Sequence, residues 1–134
     1  MEIAMERQAT TRIALGILAA LTLACSDPLG PFEPEVTNAP DNFQIQATGV
    51  TGVTLERNYV WQNSGTRATV NHSTTTDNGI ARVVILDAIG AVVYDKTLFP
   101  SLNEPTLVGV AGAWRIELLL TGYTGTLNFR VQKL

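Results

Sequence analysis

From Asn42 to the C-terminus, apolar residues recur at every second position. In NFQIQATG (residues 42–49), Phe43, Ile45 and Ala47 fall on one face and Gln44, Gln46 and Thr48 on the other, the alternation of a strand buried on one side. RATVNHS (67–73) repeats it with Ala68, Val70 and His72, AWRIELLL (113–120) with Trp114, Ile116, Leu118 and Leu120, and TLNFRVQ (126–132) with Leu127, Phe129 and Val131. IARVVILDA (80–88) and AVVYDKTL (91–98) are apolar on both faces, which predicts central strands or strands covered from two sides. A helical stripe is absent from this region.

Four tetrapeptides end in glycine between these runs: QNSG (62–65), TDNG (76–79), DAIG (87–90) and GYTG (122–125). A type I turn closed by a left-handed residue is a common hairpin connection, and glycine takes that last position without steric cost. The predicted strands are therefore 42–49, 53–61, 67–73, 80–87, 91–98, 106–110, 113–120 and 126–133. Seven to eight short strands predict an all-β domain over residues 42–134, a single antiparallel β-sandwich of immunoglobulin-like or jelly-roll type. A small closed barrel is the alternative. Trp61, Trp114, Phe129 and Tyr59 supply the bulk of the expected core.

The N-terminus follows a different pattern. Arg7 and Arg12 precede twelve uncharged residues, 13–24, too few for the roughly 20 that a membrane-spanning helix needs. This reads as the core of an export signal, and either Met1 or Met5 serves as its start. Ala24 stands directly before Cys25, the one cysteine of the chain. The run LTLAC resembles the lipobox of bacterial lipoproteins, with Thr22 where leucine is usual and Leu21 one place earlier. The resemblance implies a signal peptide over 1–24, cleavage before Cys25 and lipid attached to that cysteine. Ser26, rather than Asp, after the cysteine implies the outer membrane of the cell envelope. A conventional signal with an incidental cysteine, or an uncleaved anchor, are the other readings. A lone cysteine makes no intramolecular disulfide, and a thioether accounts for the odd thiol. Each buried CH₂ of an acyl chain contributes about 0.8 kcal/mol to membrane binding. Residues 25–41, with Pro28, Pro31, Pro34 and Pro40, read as a linker reaching at most roughly 50 Å, or as a proline-rich docking segment.

A second resemblance lies in the domain. ARVVILDAIGAVVYDKTL followed by VGVAGAWRIELLLTGYTGTLNFRVQ looks like the bacterial pre-peptidase C-terminal type of β-sandwich, through Asp87–Gly90 and Gly112–Trp114–Ile116. It implies an accessory module of secreted proteins, some of which bind calcium or polymeric substrates. The acidic loop positions of a calcium site are not evident in this chain.

Charge and reactive side chains narrow the function further. The chain carries a net charge of −3, and from Cys25 onward seven Lys and Arg face ten Asp and Glu. Such a balance repels a phosphate backbone, so nucleic acid is not an expected partner. His72 is the only histidine, which excludes a multi-histidine metal site, and its strand position reads as partly buried. Asp77 and Asp87 read as turn caps, while Glu104 and Glu117 have no partner by spacing. No catalytic residue and no cofactor is expected. The expectation is a non-enzymatic binding or structural module, held to the membrane by lipid on Cys25 and meeting an envelope protein or polysaccharide. Trp61 and Tyr123, the latter at an expected hairpin tip, are candidate contacts, with core packing the competing reading of Trp61. An enzyme acting on envelope polymers through loop carboxylates and His72, or an accessory subunit of a secretion or transport complex, are the alternatives.

Overall fold

The computed structural model describes residues 32–134. The expected signal, Cys25 and the spacer up to Pro31 lie outside the described residues. All regular structure within them is strand: β1 (Glu35–Ala39), β2 (Asn42–Asn63), β3 (Ala68–His72), β4 (Thr75–Leu86), β5 (Val92–Thr97), β6 (Leu102–Pro105) and β7 (Gly112–Lys133). Every pairing is antiparallel.

Two 22-residue strands, β2 and β7, pair along their whole length, from Asn42↔Gln132 to Asn63↔Gly112. A straight strand of that length spans roughly 70 Å. Yet the Asp41 N–H, one residue before β2, donates to the Gln62 carbonyl near its far end at 2.9 Å. The ribbon is folded in half, so each long strand runs through both layers of a sandwich. One layer holds β1, the first half of β2, the second half of β7, β3 and β6. The other holds the second half of β2, the first half of β7, β4 and β5. With β5 paired to β4 alone and β6 to β3 alone, the sheet does not close into a barrel.

The fold in the ribbon comes from β-bulges. The register shifts between Ala47 and Val50, between Val50 and Val53 and between Val53 and Leu55, each shift placing one extra residue on one strand. Gly49, Gly52 and Gly122 occupy these sites with positive φ, and bulges of this kind bend and twist a strand. They also reset the side-chain parity. On β7 the buried residues change from Trp114, Ile116, Leu118 and Leu120 to Tyr123, Leu127, Phe129 and Val131 across the single bulge at Gly122. Two bulges in β2 reverse parity twice, so Phe43, Ile45 and Trp61 all face inward. Without its extra residue, half of β7 would turn its apolar side to water.

Several expectations are corrected here. GYTG and TDNG are not hairpin turns: they lie inside β7 and β4, facing each other across the corner, where Thr76 pairs with Gly125. A Cβ on Gly79 would overlap the Gly122 carbonyl, and one on Gly125 the Thr75 carbonyl, so these glycines serve close strand approach. The runs 42–49 and 53–61 are one strand, as are 113–120 and 126–133. The strand expected at 106–110 is a loop, and β6 precedes it. Part of the expected linker is β1, paired with Asn42–Gln46. Phe32 is buried, with the Arg57 guanidinium 5.7 Å from its ring centroid. β4 is central between β5 and β7, whereas β5 is an edge strand. QNSG and DAIG are connections as expected. The first is latched by Asp41, whose carboxylate accepts from the Ser64 N–H at 2.7 Å and its hydroxyl at 2.8 Å. Trp61 and Trp114, both fully buried, meet edge to face at 5.9 Å between centroids, toward the end of the ribbon away from the corner.

Candidate functional site: a crown of two loops

At the end of the sandwich opposite the ribbon corner, the β4–β5 turn (residues 87–91) lies against the β6–β7 loop (residues 106–111). Asp87 joins them. Its side chain is buried, with one oxygen accepting from the backbone N–H groups of Ile89 at 3.1 Å and Ala91 at 2.8 Å. The other oxygen accepts from the Val110 N–H at 2.8 Å, twenty-three residues away. Burial raises the Asp87 carboxyl, but the N–H donors of Val110, Ala91, Ile89 and Gly90 together hold it below the usual carboxylate range. More bonds fix the second loop. The Ala88 N–H donates to the Val110 carbonyl at 3.3 Å, Leu107 N–H to Val93 at 2.9 Å and Gly109 N–H to Thr66 at 2.7 Å. The Trp114 indole donates to the Val110 carbonyl at 2.7 Å. Gly109 is packed so tightly that a Cβ would lie 2.8 Å from Asp87 Cβ and 2.9 Å from Val93 Cγ1.

The side chains of this pinned backbone point into water. Ile89 is 75% exposed, Val108 70% and Leu107 69%, with Val92 and Val110 about half exposed beside them. Residues 88–92 and 107–113 contain no charged side chain, and Asp87 is turned inward. Single exposed aliphatics are ordinary, but four on two loops bonded to each other, with Val92 at the start of β5, gather at one end of the sandwich as exposed apolar surface of the kind that marks an interaction site. The internal hydrogen bonds make it preformed, so docking would order little chain.

The residues singled out from sequence lie elsewhere. Cys25 is outside the described residues. Trp61 and Tyr123 are both fully buried, which agrees with the core reading of Trp61 over the contact reading and corrects the reading of Tyr123 as a surface contact. The Trp61 indole donates to the Ala39 carbonyl at 3.0 Å, and the Tyr123 hydroxyl donates to the Thr75 carbonyl. Tyr123 is inside because GYTG is a bulge rather than a hairpin tip. Asp77 sits at a strand bulge, and Glu117 pairs with Arg115 at 2.7 Å. The loop carboxylates do not converge. Among the described residues, no group of three or more His, Cys, Asp or Glu side chains is placed to hold a metal ion.

The fold does gather four titratable groups that sequence spacing did not connect. His72 is 2% exposed, and neither ring nitrogen has a hydrogen-bond partner among the described residues. Burial lowers its imidazole below the ordinary value, opposed by Glu104 on the neighbouring β6. Glu104 forms an ion pair with Lys96 of β5 at 3.1 Å, and its carboxyl is lowered chiefly by that lysine. Burial, aided by Glu104, pushes the Tyr94 phenol far above its usual range. The cluster fastens the β5 edge of one layer to the β6 edge of the other across a hollow of about 350 Å³. A neutral buried imidazole and a carboxylate tied to lysine make a structural clasp.

The outer face of the β1-containing layer is polar. Its side chains bond to one another: Arg130 to Gln44 at 3.1 Å, Gln132 to Asn42 at 3.2 Å and Asn128 to Ser73 at 2.9 Å. The crown is not legible in the sequence, because TLVGV (106–110) reads as a strand by composition and nothing in it says whether its aliphatics are covered. The chain matches no known family model and shows no significant similarity to a curated protein.

Proposed function

We propose that the chain is a lipid-anchored cell-envelope lipoprotein, held at the outer membrane, whose β-sandwich is a non-enzymatic binding module that presents the crown to a partner. The observation that carries this reading is the rigid, uncharged, exposed aliphatic patch around Asp87. The N–H groups of residues 87–91, Leu107, Gly109 and Val110 are bonded internally, so the loops offer mainly shape and apolar surface. The scattered carboxylates and the clasped Glu104 also favour binding over catalysis. The lipobox resemblance supplies the anchor. β1 supports the display geometry, because Glu35 pairs with Gln46 and Ala39 with Asn42, so the chain enters the domain near the ribbon corner. The crown is at the other end.

The test joins both halves. Intact mass of the mature protein from membrane fractions is expected to begin at Cys25 and carry acyl mass, and Cys25→Ser to release the chain from the membrane. A mature protein that starts elsewhere, or lacks lipid, refutes the anchor. Leu107→Asp with Val108→Asp is expected to leave the urea midpoint and membrane fraction unchanged, while abolishing whatever envelope phenotype deletion of the protein produces. A crown variant that behaves as wild type in that phenotype refutes the module reading.

A further inference from the structure

We infer that Asn78, at the corner of the folded ribbon, is a site of spontaneous covalent modification. The Gly79 backbone nitrogen attacks the carbonyl carbon of the Asn78 side chain, ammonia leaves, and water opens the resulting succinimide to isoaspartate or aspartate. Neither the lipid anchor nor the crown takes part. Asn78–Gly79 is the one Asn-Gly step in the chain, and its reacting atoms already lie together. The Gly79 N–H donates to Asn78 Oδ1 at 2.8 Å, so the carbon under attack is bonded to the oxygen that this nitrogen touches. Holding nucleophile and electrophile in contact lowers the entropic part of the barrier.

The corner leaves the nitrogen free to react. Asn78 pairs with Thr124 and Ile80 with Thr121, with a register shift on each side of Asn78, so Gly79 has no partner in the ladder. Both residues are exposed, and solvent base can take the amide proton. Glycine puts no side chain beside the attacking nitrogen, and the corner cannot do without it. Its φ is +73°, and a Cβ there would overlap the Gly122 carbonyl. The packing that folds the ribbon therefore demands the neighbour that makes Asn78 labile.

Asn63 shows the protected case. It too is followed by a small residue, Ser64, but the Ser64 N–H is bonded to the Asp41 carboxylate at 2.7 Å. Asn63 is buried, its side-chain oxygen accepting from the Gly65 N–H at 2.9 Å and its amide nitrogen donating to the Arg67 carbonyl at 3.4 Å. Nucleophile and leaving group are both held.

The conversion balances with solvent alone. The bond from Gly79 N to Asn78 Cγ forms as the bond from Cγ to Nδ2 breaks, and Nδ2 departs as ammonia with a proton from water. A water then adds at the main-chain carbonyl carbon of Asn78, giving isoaspartate, or at Cγ, giving aspartate. Isoaspartate lengthens the main chain by one CH₂ where Thr76 pairs with Gly125 and Asn78 with Thr124. Either product sets a new carboxylate beside Asp77. Both changes loosen the corner.

Ageing the purified protein in mildly alkaline buffer tests this. Peptide mapping with electron-transfer fragmentation, which distinguishes isoaspartate from aspartate, is expected to find both at position 78 and to find Asn63 intact. The free peptide TTDNGIA, residues 75–81, aged alongside, sets the rate without the fold, and native Asn78 is expected to convert at least as fast. Asn78→Gln, whose ring would need one more methylene to close, is expected to lose the modification. Aged wild type is expected to melt at lower urea than fresh wild type, and aged Asn78→Gln to match its own fresh sample. Native Asn78 that converts more slowly than the peptide overturns the inference, because the fold then protects the site. Aspartate without isoaspartate overturns it too, since direct hydrolysis of the side chain makes aspartate alone, and so does native Asn63 that keeps pace with Asn78. Converted protein with an unchanged urea midpoint refutes the loosening of the corner.

Discussion

Tyr123 sits at the corner of the folded ribbon, fully buried, with its hydroxyl bonded to the Thr75 carbonyl on β4. Tyr123→Phe removes that donor and almost nothing else. A buried carbonyl that loses its partner costs about 1–3 kcal/mol. The low half of that range applies, because Thr75 is itself exposed and the bond only part-buried, so water can reach the freed carbonyl. About 1.5 kcal/mol, at roughly 4–8 °C per kcal/mol for a domain of this size, lowers Tm by about 6–12 °C. With a urea m-value of about 2 kcal/mol/M, the midpoint falls by about 0.7 M. Tyr123→Ala adds a cavity between the layers and is expected to cost about 3–5 kcal/mol. Urea melts followed by tryptophan fluorescence suit the measurement, since Trp61 and Trp114 lie in the same core. If Tyr123→Phe leaves the midpoint within 0.1 M of wild type, the hydroxyl is not bonded inside the corner. The residue would then have to be at the surface, as the hairpin reading of GYTG had it.

Two further outcomes follow from the titratable groups. Burial lowers the His72 imidazole, so on acidification the unfolded chain takes up that proton first. Its stabilising effect is full above the ordinary value of 6.5 and is lost as pH falls below it. Urea midpoints between pH 7.5 and 5 are expected to fall in wild type and stay flatter in His72→Phe; parallel curves would refute a buried neutral histidine. In the crown, Asp87→Ala removes the acceptor shared by Ile89, Ala91 and Val110. Faster amide exchange is expected at those three positions, with the β2–β7 ladder still protected, and unchanged exchange would show that Asp87 does not hold the loops together.

Much of the architecture was legible locally. A period of two over 67–73, 113–120 and 126–132 identifies strands and their buried faces, because successive side chains on an extended backbone point to opposite sides. Trp61, Trp114 and Phe129 were assignable to the core on bulk and phase. DAIG was readable as a turn because Asp87 accepts from N–H groups two and four residues on, within its own segment. Its longest-range bond, to Val110, was not. β1 escaped notice between Pro34 and Pro40, since EVTNA has a single large apolar residue and its pairing with β2 supplies the order.

GYTG and TDNG mark the limit of local reading. A left-handed glycine ends a hairpin turn and fills a β-bulge equally well, so the tetrapeptides are the same signal for two structures. What separates them is whether the flanking runs pair with each other or continue alongside a third strand. That is a contact between residues about seventy positions apart: Gly52 N–H to the Thr124 hydroxyl at 2.9 Å and Gly122 N–H to the Thr54 hydroxyl at 2.8 Å. The crown was hidden for the same reason, because the apolar residues of TLVGV report a strand-like composition and not what covers them. The amino-acid sequence by itself determined an antiparallel β domain, most of its buried faces and the lipobox-like segment before it. Only the tertiary structure decided that four predicted strands are two folded ones, that Tyr123 is core and that five aliphatics stand in water. Backbone periodicity is local, whereas bulge, corner and exposure depend on which distant strand lies alongside.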